Sequence, residues 1–185
     1  LFAGDIEIPQ LTEGITRLIL EDMSEQLDWS KISPTIFGAV FESTLNPETR
    51  RKGGMHYTSV KDIHKVIDPL FLDDLQAGFD RIMEDPKLSR TKREAALEAF
   101  QEKLAGLRFL DPACGSGNFL TETFLSIRRL ENKIIEQLQH GLMVLEFANP
   151  VKVSIGQFAG IEINDFAVTV ARTALWIAES QMIKE

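Results

Sequence analysis

Phe109-Leu110-Asp111-Pro112-Ala113-Cys114-Gly115-Ser116-Gly117-Asn118-Phe119-Leu120 is a glycine turn set between two apolar stretches. Upstream, Leu107 to Asp111 has the length and apolar content of a short buried strand. Downstream, Leu120, Phe124, Ile127, Ile134 and Leu138 recur at helical spacing, to about Gln139. The pattern predicts strand, turn, helix. Gly115 and Gly117 lack a Cβ, so the backbone there can turn sharply and approach a ligand. The helix that follows offers unpaired N–H groups and the positive end of its dipole. A G-x-G pattern alone is a weak signal. Its strand–turn–helix setting is what makes it read as a nucleotide cradle.

Asp111 discriminates among nucleotides. A carboxylate at the strand's end sits badly beside a pyrophosphate and well beside an ammonium group. It points away from a dinucleotide and towards a ligand carrying an amine, such as S-adenosylmethionine. Further along, Gln157 to Ile163 reads as a second core strand that brings Glu162 to its end. A carboxylate there accepts two hydrogen bonds from a ribose diol. Dinucleotide folds use an acidic residue in the same way, about 20 residues beyond the glycines. The interval from Gly117 to Glu162 is more than twice that, and the long helix with an insertion over 141–155 accounts for the excess. The bland alternative is a tight turn without a ligand and a carboxylate exposed at a strand end.

Helical spacing organises most of the remaining chain. Ile15, Leu18, Ile19, Met23 and Leu27 predict a helix over 13–28 with a core-facing stripe. Ser33-Pro34 reads as a cap with Pro at the first helical position, followed by the stripe Ile36, Phe37, Val40, Phe41. A loop from Asn46 to Gly54 carries Arg50-Arg51-Lys52, read as a solvated charge run. Ser59 with Asp62 matches a capping box, and Val60, Ile63 and Ile67 form the buried face behind it. Pro69 should kink or end that helix, with more helix from Leu70 to Met83. Thr91 with Glu94 matches a second capping box, ahead of Leu97, Phe100 and Leu104. Val151 to Ile155 alternates as an added strand would. Asn164-Asp165 caps a last helix whose core positions are Val170, Ala174, Leu175 and Ala178. Two βα units behind a helical region predict an α/β fold with a parallel sheet.

Composition narrows the function classes. The 185 residues suit one domain with a real core. No apolar run is long enough to span a bilayer, and the N-terminus has no signal-peptide layout. One cysteine gives no disulfide framework and fits a reducing cytoplasm. Three scattered histidines and that cysteine form no metal-ligand cluster, so no metal is expected. The net charge of −8 is unlike a stand-alone nucleic-acid binder, which is more often basic. Cys114 sits where the turn needs a small residue, and no His or Asp is spaced to activate it as a nucleophile. His56 and His64 read as packing or surface residues rather than bases.

Asp111-Pro112-Ala113-Cys114-Gly115-Ser116-Gly117-Asn118-Phe119-Leu120 resembles motif I of the amino-methylating DNA methyltransferases. Gly53-Gly54-Met55-His56-Tyr57-Thr58-Ser59 resembles their motif X, and Gly160-Ile161-Glu162-Ile163-Asn164 their motif II. The order X, I, II is that of adenine-N6 enzymes with an N-terminal motif X. Leu1-Phe2-Ala3-Gly4 and Trp176-Ile177-Ala178-Glu179 are most similar to the MmeI-like restriction–modification methyltransferases. Ser59 stands where Pro is usual. The catalytic N-P-P-Y/F motif is absent, so the chain is expected to be a piece of a larger enzyme, without catalytic residues of its own.

The resemblance implies the first part of a Rossmann-like class I methyltransferase sheet preceded by a helical region. It divides the chain into 1–55, helical with the motif X loop, and 56–185, a partial cofactor-binding domain. It implies S-adenosylmethionine as cofactor, with Tyr57 and Thr58 at its amino-acid end. Asp111 takes the ammonium. Ala113, Gly115, Gly117 and Asn118 line the turn. Glu162 takes the ribose, and Ile163 covers the adenine. The implied reaction is methyl transfer to adenine N6 in duplex DNA, bound mostly through regions outside this chain. The competing readings are an RNA methyltransferase, a non-catalytic module that senses the cofactor, and a NAD-binding domain, which Asp111 fits poorly.

Overall fold

The computed structural model describes residues 10–26, 33–36, 40, 58–139 and 150–182. Expectations for Leu27, Phe37, Phe41, the Arg50-Arg51-Lys52 loop, His56, Tyr57 and the connection over 141–149 lie outside them. The chain forms two compact units, Leu1–Ile32 and Ser33–Glu185.

In the first unit the Thr12 side chain accepts from the Ile15 N–H at 3.4 Å and caps α1 (Glu13–Arg17). The helix continues as a π-helical stretch, Leu18–Gln26. The expected core stripe is not buried here: Ile15, Leu18 and Ile19 are all exposed. Helical spacing fixes which residues share a face, but not what covers it. In the second unit Ile36 and Val40, expected in a core stripe, are exposed too, while Pro34 and Thr35 are buried.

The rest of the second unit holds the two strands. Ser59 caps α2 (Val60–Ile67), accepting from the Asp62 N–H at 3.2 Å, and Ile63 and Ile67 are buried. Pro69 does not end the helix. The chain passes through a π-helical turn, Asp68–Leu72, where the missing N–H of Pro69 falls at an element start, and continues as α3 (Asp73–Glu84). The next cap is Ser89, not Thr91. Its hydroxyl accepts from Lys92 N–H and opens α4 (Arg90–Gly106), so Glu94 is left to pair with Arg90 at 2.9 Å. Leu97, Phe100 and Leu104 are buried, as their spacing predicts.

β1 (Phe109–Asp111) and β2 (Phe158–Gly160) are each shorter than expected and pair in parallel, Asp111 opposite Gly160. Between them runs α5 (Asn118–Gln139), and α6 (Asp165–Met182) follows β2. This is an α/β arrangement of helices on a two-stranded parallel sheet. Phe109 and Phe158 stack across the strands at 4.9 Å, Phe71 lies 5.2 Å from Phe109, and Phe124 of α5 meets Phe158 edge-on at 5.5 Å. Such aromatic pairs contribute beyond their buried area. On the opposite face Leu110 is 64% exposed.

Val151 to Ile155 is not a strand. Its backbone is claimed by side chains instead of by a neighbouring strand. Glu131 of α5, fully buried, accepts from the N–H groups of Lys152 at 2.7 Å and Val153 at 3.1 Å. Just beyond, the Gln157 side chain donates to the Leu104 and Leu107 carbonyls at 2.9 and 3.0 Å. That joins the Leu107 N–H, at 3.2 Å from the Leu104 C=O, in tying down the C-terminal end of α4, and sets the entry to β2 beside β1.

Candidate cofactor site

The site is assembled at the C-terminal ends of the two strands. Beyond the last ladder pair, Ile161 N–H donates to Asp111 C=O at 2.9 Å and Cys114 N–H to Ile161 C=O at 3.0 Å. The turn is thereby laced to the end of β2. Gly115 and Gly117 have φ of +52° and +77°, in the region that favours glycine. Gly117 N–H closes the turn onto Cys114 C=O at 2.8 Å.

Gly117 is packed tightly against α6. A Cβ there would lie 2.7 Å from Ala171 Cβ and 3.1 Å from its Cα, so the turn packs directly on the backbone of α6. Gly117→Ala should cost roughly 2–4 kcal/mol, combining left-handed strain with overpacking. Denaturant unfolding measures this. Adding Ala171→Gly should restore part of the loss, and a cost under about 1 kcal/mol would mean the turn can shift. Gly115 differs: a Cβ there would meet nothing within 4 Å, so its side of the turn is open space.

Both strand-end carboxylates belong to this turn. Asp111 Oδ1 accepts from the Ala113 N–H at 3.0 Å. Glu162 Oε2 accepts from the Gly115 N–H at 3.0 Å, and its Oε1 from the Asn164 N–H at 2.9 Å. Glu162 therefore bridges the glycine turn and the start of α6. Asn164 caps that helix, its side-chain oxygen accepting from the Phe166 and Ala167 N–H groups at 3.0 and 3.2 Å. Ile163 projects between these anchors and is 93% exposed.

Asn118, first residue of α5, is buried, and its Oδ1 has no hydrogen-bond partner. An unpaired buried acceptor is costly, so a donor is wanted there. Cys114 is half-buried. Burial, then the charges of Asp111 and Glu162, push its thiol up, which keeps it protonated and poor as a nucleophile.

Of the residues singled out in the sequence, the structure brings Asp111, Ala113, Gly115, Gly117, Asn118, Glu162 and Ile163 to one turn and its margins. Thr58 stands beside the Ser59 cap of α2, which packs on α5. Two contacts have no signal of their own in the sequence, the Glu162–Gly115 bond and the contact of His64 with Glu122. The spacing of His64 and Asp68, one helical turn apart, was the available signal for half of the latter. No described helix is long and apolar enough to cross a membrane.

The family model "MmeI, DNA-methyltransferase domain" matches residues 87–185. DNA methyltransferase A of Bacillus subtilis (strain 168) is 44% identical over 170 residues, covering 92% of this chain and 18% of that protein. The structure of the Type IIL restriction–modification enzyme MmeI in complex with DNA matches with a TM-score of 0.82 and 39% identity. It covers 98% of this chain and 23% of that one. The chain spans about a fifth of the length of these relatives. With motif I, motif II and the strand pairing all inside the matched region, the chain belongs to the MmeI family of restriction–modification DNA methyltransferases, as part of the methyltransferase domain.

Proposed function

We propose that this chain forms the S-adenosylmethionine-binding part of a site-specific DNA adenine-N6 methyltransferase. In this reading its two strands begin a Rossmann-like class I sheet. The observation that carries it is the pair of carboxylates, Asp111 at the end of β1 and Glu162 just beyond the end of β2, on either side of the Gly115 turn.

That donor and acceptor set fits a ligand with an amine and a diol. Asp111 Oδ2 accepts nothing from the described residues and is available to an ammonium. Each Glu162 oxygen holds one N–H and keeps a further lone-pair site for a ribose hydroxyl. A pyrophosphate in the same position would face two negative charges. Ile163 gives an exposed apolar surface for the adenine, and the open side of Gly115 lets the ligand approach the backbone. Asn118 Oδ1 offers an acceptor beside the turn. Thr58 supplies a hydroxyl to the carboxylate end, with Tyr57 assigned to the same end through motif X.

When bound, this cofactor supplies an electrophilic methyl group on its sulfonium. The residues here bind and orient it; none is assigned to the transfer step, since the N-P-P-Y/F motif is absent from this sequence. The target adenine would be flipped from the duplex into the completed pocket. The net charge of −8 assigns most phosphate contacts to other parts of a cytoplasmic parent enzyme.

Calorimetric titration of the chain with S-adenosylhomocysteine and with NAD tests the proposal. Binding of the first alone is expected, with no methylation of duplex DNA by the chain by itself. Binding of NAD in its place would overturn the reading.

A further inference from the structure

We infer that His64 is a positioning residue for this site: as an imidazolium it ties the helix led by Thr58 to the helix led by the glycine turn. The inference rests on the cofactor reading above. His64 lies in the last turn of α2. Its Nδ1 is 2.7 Å from Asp68 Oδ1, and its Nε2 is 3.2 Å from Glu122 Oε1. A neutral imidazole has a single N–H and can donate to only one of these carboxylates. Donation to both requires the cation.

The carboxylates come from different elements. Asp68 opens the π-helical turn after α2, whereas Glu122 sits early on α5, just beyond Gly117, with its side chain 5% exposed. Arg129, also on α5, faces Glu122 at 3.5 Å and leaves its charge compensated whatever His64 does. Among the described residues the charged groups acting on the imidazole are Asp68 and Glu122, with Arg129 behind Glu122. Apolar burial of Ile63 and Ile67 fixes how deeply α2 sits. The His64–Glu122 contact is its one side-chain hydrogen bond to α5 among the described residues, and so sets its register. Register matters because the Thr58 end of α2 and the Asp111 turn must meet one ligand.

The hydrogen bond to Asp68 raises the imidazole's pKa most, Glu122 acts in the same direction, and burial opposes both. A raised folded-state value means that this stabilisation is complete below the ordinary imidazole value of about 6.5 and is lost as pH climbs through the raised one. On proton loss the shorter bond, to Asp68, keeps the remaining N–H. The contact given up is the one between the helices.

The test measures amide hydrogen-exchange protection of Val60–Ile67 and titrates S-adenosylhomocysteine calorimetrically on the same samples. It compares the native chain, His64→Gln and Glu122→Gln at about pH 6 and about pH 8.5, below and well above the ordinary imidazole value of about 6.5. In the native chain, protection should fall and Kd rise about threefold to tenfold at the higher pH. In Glu122→Gln the new amide can donate to the neutral Nε2, so both readouts should stop changing with pH. In His64→Gln one amide cannot span both carboxylates, so binding should be weak at both pH values. The ligand's own ammonium titrates equally against all three proteins, so differences between them isolate His64. Equal native and Glu122→Gln protection at both pH values would overturn the clamp. Protection that changes while Kd does not would overturn the positioning role. No binding by any protein, with protection still pH-dependent, would overturn the cofactor reading and the positioning role with it, while supporting the clamp between the helices.

Discussion

Glu131→Ala is expected to lower the unfolding free energy of the chain by about 3–5 kcal/mol, among the largest effects of any single substitution here. Glu131 is fully buried and Arg128, its partner one helical turn away, is 3% exposed. Besides Arg128, the carboxylate accepts from Gln101 Nε2 at 2.8 Å and from the Lys152 and Val153 N–H groups. Arg128 also donates to Met182 C=O at 3.3 Å, at the end of α6. Truncation at 131 would leave a buried guanidinium without its counter-charge and strip an acceptor from three further donors. A double substitution, Arg128→Met with Glu131→Leu, would remove the stranded charge but still orphan the two backbone N–H groups. It should recover only part of the loss. Urea unfolding of the native chain and the two variants gives the comparison. A loss under about 1 kcal/mol for Glu131→Ala would mean that water reaches this cluster and the 150–153 segment is not fixed by it.

Asp111→Asn is expected to weaken S-adenosylhomocysteine binding about tenfold to a hundredfold, the worth of a hydrogen bond to a charged group. The asparagine oxygen can still accept from the Ala113 N–H, so the turn should survive and the unfolding midpoint should move little. Glu162 does not permit such a clean substitution. Both of its oxygens accept from backbone N–H groups, so Glu162→Gln would turn an amide NH₂ towards one of those donors. Loss of binding in Glu162→Gln or Glu162→Ala would therefore combine a lost ligand contact with a loosened turn. Calorimetry paired with thermal unfolding separates the two sites: affinity falls alone at Asp111, while affinity and stability fall together at Glu162.

The parts of this fold legible in sequence are those where a local rule decides. Ser59 caps its helix because a hydroxyl before a helical run meets an orphan N–H. The turn at Gly115 and Gly117 was readable because few other residues tolerate those φ values. The core face of α6 followed from spacing alone. What was not legible depends on partners far away in the chain. Thr121, Glu122, Ser126 and Arg128 lie off the apolar stripe of α5 and Glu131 falls within it, seven residues from both Phe124 and Leu138, and all are buried. The helix is enclosed by α2, α4, α6 and the strands, and the carboxylates of Glu122 and Glu131 meet other polar groups. For the same reason Val151 to Ile155 looked like a strand: its alternation is genuine, but Glu131 takes its backbone donors. Ser89 and Thr91 both precede plausible first turns, and the choice between them was set by where the chain leaves α3. At the site, the carboxylates and glycines were legible as residue types. The bond from Gly115 to Glu162, which makes them one site, depends on the parallel pairing of β1 with β2.

Amide chemical-shift mapping of the nitrogen-labelled chain during titration with S-adenosylhomocysteine tests that unity most directly. The largest shifts are expected at Ala113, Gly115, Asn118, Ile163 and Thr58, with Gln101, Lys152 and Val153 unmoved. Shifts centred on the 150–153 segment, with Gly115 and Ile163 unchanged, would contradict it.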